Sequence, residues 1–319
     1  MKKTTFLFTS TLAVIILASC ASTSEAVEKD TSKPAAKAPI VIQVIQETPE
    51  ALFLKSLEGI TISRVSSPKE VTKGKSFAAP FVFAAAKADG TPVEGLSLTV
   101  SYPASKAEGI ISFETVEAVT DAEGKITFTA PQTSFAANTK VKAYPTPVSE
   151  DKELAEELNK YTAEADWKVK SDIASKGAAL FVWDFNEKNV AQNNSYNLQA
   201  ELRSRGITNV GNGPVNETSY IGKTKSLYKD TYDIIGTSVY GYLLFGTIKF
   251  EEPVTALEDG NGYYCVLKAD IGVLNMKDGS QIYSSVLSYK SEGKNWNECV
   301  SKGKEKLAEL VVNDLIYGL

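Results

Sequence analysis

The chain has 319 residues, 43% of them apolar and 23% charged, with a formal charge of −5 at neutral pH. That balance belongs to a folded protein rather than a disordered or fibrous one, the length suits about two domains, and the missing basic excess speaks against nucleic acid as the main partner. There is no histidine, which removes Ser-His-Asp and Cys-His catalysis, histidine-ligated zinc and histidine pH switching together. Three cysteines are too few for a four-cysteine zinc site.

Lys2 and Lys3 form a short positive segment, and residues 6–18 are apolar, interrupted only by Thr and Ser. A run of about 13 residues falls short of the roughly 20 that a membrane-spanning helix needs, so it reads as a secretory signal. It ends in Leu17-Ala18-Ser19-Cys20, which resembles the lipobox of bacterial lipoproteins. The resemblance implies removal of residues 1–19 as a signal peptide and acylation (palmitate or a similar chain) of the Cys20 sulfur and its new amino group. The plainer reading is an ordinary signal peptide that happens to contain a cysteine. Each buried methylene contributes about 0.8 kcal/mol, so several acyl chains hold a membrane far more firmly than one. The processed chain loses the two lysine charges. Ala21 follows the cysteine where Asp would resemble an inner-membrane retention signal, so the outer membrane is expected.

Residues 21–39 are rich in Ala, Ser, Thr, Lys, Glu and Pro without apolar periodicity, the composition of a flexible tether. We assign residues 20–50 to the acylated cysteine and this tether. Within it, residues 40–45 (IVIQVI) are β-prone and either pair with a later strand or open the first domain.

Residues 51–172 form the first expected domain, with short strands separated by turn signals, the rhythm of a β-sandwich. Strands are expected over 60–64, 77–86, 96–102, 125–129 and 139–144, with turns at Lys73-Gly74, Asp89-Gly90 and Thr120 to Gly124. The stretches DGTPVEGLSLTVSYP and TDAEGKITFTAP resemble bacterial immunoglobulin-like domains of the invasin type, which implies an all-β Ig-like sandwich. A polar helix over 149–160, capped by Ser149, departs from that pattern, and a returning edge strand over 162–170 follows it.

The periodicity changes in residues 176–319, the second expected domain. Residues 179–185 and 239–250 are apolar on both faces, as buried central strands are. Helices are expected over 196–205, stopped by Gly206, and over 216–228, with a short strand over 207–210 between them. Residues 263–273 alternate, with Tyr263, Cys265, Leu267, Ala269, Ile271 and Val273 on one face. A turn at Lys277-Asp278-Gly279 leads into a strand over 281–289. A long helix closes the chain, with Asn295 as cap, Glu298 as its capping-box partner, and Trp296, Val300, Leu307, Val311 and Leu315 as apolar stripe. This order gives an α/β (α+β) domain with a mixed sheet. LFVWDFNE, LQAELRSRG, GYLLFGTIKF and VLNMKDGSQI, with the closing helix, resemble the periplasmic superfamily of the curli secretion-channel lipoprotein, lipoprotein activators of penicillin-binding proteins and flagellar accessory lipoproteins. The resemblance implies an envelope-assembly domain, and the membrane-spanning hairpins of the curli channel are not evident in this sequence.

No constellation of catalytic residues stands out. Gly222-Lys223-Thr224 ends like a phosphate-binding loop, but Glu217 stands where the motif needs glycine. Gly211 to Pro214 reads as a turn. Asp184 and Asp270 lie on expected strands without base, nucleophile or metal spacing, so a solvated or sheet-edge place is expected for them. The acidic run 150–157 reads as a solvated helix face, and the glycosylation-like triplets at Asn193 and Asn216 as ordinary loops. Cys265 and Cys299 remain an even pair once Cys20 is acylated; in an oxidising compartment they form a disulfide, or they stay two buried thiols acting as small hydrophobes. The sequence therefore points to a non-catalytic envelope lipoprotein, anchored to the membrane and serving as accessory or scaffold factor for an assembly in the periplasm or outer membrane. Its partner is an envelope protein, with no cofactor, metal, nucleic acid or small-molecule substrate. The alternative is a surface adhesin that meets its ligands through the Ig-like domain.

Overall fold

A computed structural model describes residues 47–107 and 109–319. The expected signal peptide, Cys20, most of the tether and the run 40–45 lie outside the described residues. Residues 47–319 form one compact unit.

Helix α1 (Pro49–Ser56) opens it, capped by the Thr48 hydroxyl, which accepts from Ala51 N–H at 3.2 Å, and started by a proline that needs no hydrogen-bond partner there. Helix thus begins just before residue 51, where the tether was expected to end. The strands β1 (Ile60–Ser66), β2 (Val71–Thr72), β3 (Phe81–Lys87), β4 (Ser97–Ala107), β5 (Ile110–Val119), β6 (Lys125–Phe128) and β7 (Ala137–Pro145) follow, then helix α2 (Lys152–Leu158) and β8 (Ala163–Lys170). They build two sheets, β1-β3-β6 and β2-β8-β7-β4-β5. Alternate residues of each, among them Phe81, Phe83, Leu98, Val100 and Val141, bury a shared core. Trp167 is its largest member, stacked on Phe81 with centroids 5.8 Å apart and met edge-on by Phe77 at 4.9 Å. The N-terminal half is the two-sheet sandwich expected from the alternation.

Three details differ from the sequence reading. The cap of α2 is Asp151, not Ser149: its carboxylate accepts from Glu153 N–H at 2.7 Å and Leu154 N–H at 3.3 Å, and a charged acceptor suits the positive end of a helix. Strand β8 is not at the edge, because β2 pairs along its outer end. Strand β5 was not foreseen: it is an outer strand, exposed along most of its length, so burial imposes no alternation on it. At the Asp121–Gly124 turn the glycine is required, since it takes φ +71° and a Cβ there would lie 2.5 Å from the Ala85 carbonyl oxygen.

The C-terminal half comprises α3 (Ile173–Lys176), β9 (Ala178–Phe185), β10 (Ala191–Asn194), α4 (Tyr196–Ser204), β11 (Val210–Asn212), α5 (Thr224–Ile235), β12 (Tyr242–Ala256), β13 (Tyr263–Asn275), β14 (Gln281–Gly293) and α6 (Trp296–Gly318). Its mixed sheet runs β10-β9-β12-β13-β14, with β11 also pairing β9. β9 is parallel to β11 and β12; the other pairs are antiparallel. β9 is buried on both faces: Leu180 and Val182 face the core under α4 and α6, while Phe181 and Trp183 face the core under α5. Helix α5 starts at Thr224, later than expected, after a 3-10 turn over Thr218–Tyr220. Helix α6 is capped as read, with the Asn295 side chain accepting from Glu298 N–H at 2.9 Å, but Glu298 reaches back past the cap to the N–H of Lys294, at 3.0 Å. Trp296 leaves the apolar stripe. It is 45% exposed, and its indole donates to Glu187 at 3.2 Å.

Candidate functional site

The segment after β8 ties the two halves together. Ser171 is buried, and its N–H donates to the carbonyl of Ile316 near the end of α6 at 2.7 Å. The next residue, Asp172, gathers three donors. Lys73, just past β2, lies 3.2 Å from one carboxylate oxygen, and Tyr242, at the start of β12, donates to the same oxygen at 2.5 Å; Lys176 of α3 lies 2.8 Å from the other. Both ammonium groups also lie over the Tyr242 ring, 5.9 and 5.4 Å from its centroid. Burial alone would raise the Asp172 pKa, but the hydrogen bonds from Lys176 and Tyr242 and the charge of Lys73 outweigh it and hold the carboxyl at about 2. Burial and the Asp172 carboxylate push the Tyr242 phenol well above its ordinary range. Neither group exchanges a proton near neutral pH, so the cluster is suited to fastening rather than to acid–base catalysis.

A cleft of about 990 Å³ opens beside this cluster. Lys73, Lys106 and Ala136 border it from the sandwich side, and Tyr242, Tyr283 and Asp314 from the α/β side. Tyr283 donates its hydroxyl to Asp314. No element of this site was foreseen: Lys176 is one helical turn from Asp172, but Lys73 and Tyr242 are far off in sequence, and only the packing of the two halves brings them in.

The residues singled out from the sequence are dispersed. Cys20 lies outside the described residues. Cys265 on β13 and Cys299 in the first turn of α6 are both fully buried, with their sulfurs 3.5 Å apart as free thiols. Burial and the neighbouring Cys299 push the Cys265 thiol up to about 12. Asp184 is not solvated: its side chain is 5% exposed and lies 3.3 Å from Lys304 of α6. Burial raises its pKa and the lysine opposes the rise. The apolar run around it gave no hint of this, because its partner comes from the last helix. Asp270 is exposed, as expected, and borders a small cavity of about 270 Å³ with Gly222, Thr224, Lys249 and Phe245. The 3-10 turn, not a strand, precedes Gly222, so the phosphate-loop geometry is absent from these residues. Among the described residues no three of His, Cys, Asp and Glu converge on a metal position, and no helix is long and apolar enough to cross a membrane.

Residues 177–316 match the profile of a family described as TP0693-like lipoprotein, C-terminal domain. The C-terminal half thus carries a lipoprotein-family domain. No curated protein matches the chain. Among solved structures, the chain is similar to lipoprotein GNA1162 from Neisseria meningitidis, at 18% identity over 43% of this chain and 96% of that one, with a TM-score of 0.26. It is also similar to the PelC dodecamer from Paraburkholderia phytofirmans, at 14% identity over 43% of this chain and 81% of that one, with a TM-score of 0.25. A third is the hypothetical protein CT253 from Chlamydia trachomatis, at 10% identity over 44% and 93%, with a TM-score of 0.26.

Proposed function

We propose that this chain is a non-catalytic lipoprotein of the bacterial cell envelope, held by acyl chains on Cys20 and serving as accessory or scaffold factor for an envelope assembly. The observation that carries this reading is the conjunction of two separate parts of the chain: Leu17-Ala18-Ser19-Cys20 near one end, and a lipoprotein-family domain over residues 177–316 at the other. The sandwich serves as spacer, and the α/β half meets the protein partner. The donor-saturated Asp172 cluster supports a rigid coupling of the two halves. The outer membrane is the proposed site, because Ala21 rather than Asp follows the cysteine.

Replacing Cys20 with Ala and fractionating the cells tests the anchor. The variant is expected in the soluble fraction or as an unprocessed precursor; a variant of processed size still in the membranes overturns the reading. Protease treatment of intact cells tests the scaffold role against the adhesin. Protection of the native chain supports a periplasmic factor, whereas its loss assigns the chain to the surface, as the adhesin reading requires.

A further inference from the structure

Strand β14 ends the six-stranded sheet, and no described strand pairs with its outer side. Folded proteins blunt such edges with proline, charge, bulges or a short strand, because an open row of N–H and C=O groups recruits another strand. β14 is 13 residues long, and its stretch 281–289 (QIYSSVLSY) has neither proline nor charge. Ile282 and Val286 on it are 42% and 56% exposed.

The cleft beside the Asp172 cluster crosses the end of the sheet, where Tyr242 and Asn275 line it, and reaches this edge. Five consecutive residues, 281–285, line it. Successive side chains of a strand point to opposite faces, so a cavity lined by all five follows the edge and not one face. The opposite wall carries Lys106, which is half-buried near the end of β4. Its ammonium donates to the carbonyl oxygens of Gly318 at 2.6 Å and Ala136 at 3.3 Å. Lys73 and Lys176 share Asp172, whereas Lys106 makes no ion pair among the described residues; Asp314 accepts from Tyr283 instead. Burial holds the Lys106 pKa below its ordinary value, Asp314 opposing that fall and Lys73 adding to it. A half-dry ammonium on carbonyl oxygens gains most from a carboxylate delivered to it.

We propose that the cleft takes an extended acidic peptide segment of an envelope partner, which adds as a strand to the outer edge of β14 over 281–285 and sets a carboxylate against Lys106. Main-chain hydrogen bonds then supply affinity, and the lysine selects the charge. The partner's place in the envelope rests on the function proposed above; the peptide chemistry rests on the groove alone.

The test uses the purified chain and a fluorescein-labelled octapeptide of alternating Glu and Val, read by anisotropy. Binding is expected, at least tenfold weaker at high salt and at least tenfold weaker for Lys106→Ser. A Lys-Val octapeptide is expected not to bind, nor is the Glu-Val peptide N-methylated at alternate residues, which keeps its charge but loses its edge-pairing N–H groups. Equal binding of either control overturns the proposal, as does no binding of the Glu-Val peptide. A dimer through β14 that the peptide does not displace gives the edge to a second copy and also overturns it. The two controls decide the matter even if Lys106→Ser fails to fold. A chain that binds the peptide but is released from no membrane by Cys20→Ala keeps this proposal and loses the anchor.

Discussion

Asp172 is where single residues matter most to the described unit. Its side chain is 19% exposed, and its folded pKa of about 2 lies below the 3.8 of an unperturbed carboxyl. The folded state therefore binds fewer protons than the unfolded state between those values. The stabilisation is complete above about pH 4 and is lost as pH falls toward 2. The shift corresponds to about 2 kcal/mol, at roughly 1.4 kcal/mol per pH unit. Asp172→Asn is expected to lower the denaturant-derived stability by about that much at pH 7 and by almost nothing at pH 2; a loss that is the same at both pH values contradicts the ionic account. Gly246 acts through the backbone. It stands in the GYLLFGTIKF stretch at φ +152°, and a Cβ there would run into the carbonyl oxygen of Asp270 on β13. Gly246→Ala is expected to cost about 2–4 kcal/mol. Gly222→Ala is the control: φ is +78° with nothing within 4 Å of the added carbon, and the expected cost is about 1 kcal/mol. Equal melting temperatures for the two variants count against the close approach.

Elements differ in how clearly the sequence announces them. β9, apolar on both faces, and β13, whose alternating face is buried from Cys265 onward although Tyr263 at its start is exposed, were legible because burial dictates side-chain type. The start of α6 was legible because a cap is a local bond. β5 was not, since its outer position leaves its residues unconstrained; the end of β12 ran past its expected limit into mostly exposed residues, and the end of β14 ran on to a buried serine, Ser291, which carries no apolar signal. One element pair carries a chemical consequence. β13 and the first turn of α6 place the Cys265 and Cys299 sulfurs 3.5 Å apart. We propose that in an oxidising compartment they close to a disulfide, each thiol losing a proton and the pair giving two electrons to a disulfide-exchange oxidase. The bond closes a loop of about 35 residues, worth roughly 3–4 kcal/mol in the chain-entropy model. Alkylation of the denatured, unreduced protein from the native envelope is expected to find neither thiol; two labelled thiols contradict the bond.

At the scale of the whole molecule, the sandwich and the mixed α/β sheet follow from two changes of hydrophobic period along the chain, which is why the fold class was readable. The junction was not. Lys73, Asp172, Lys176 and Tyr242 come from three stretches of chain, and nothing local marks a residue that will meet another half of the molecule. Lys106 was hidden for the same reason, its two acceptors lying on Ala136 and Gly318. Asp184 was misplaced because a carboxylate in an apolar strand has no visible partner until α6 folds over it with Lys304. At the other end of the chain a short apolar run leads to Cys20, the proposed anchor. Mass spectrometry of the amino-terminal peptide of the chain, isolated from its native membrane, tests it directly. The expected peptide starts at Cys20 and carries the added mass of acyl chains. An unmodified Cys20, or a chain that begins at any other residue, contradicts it.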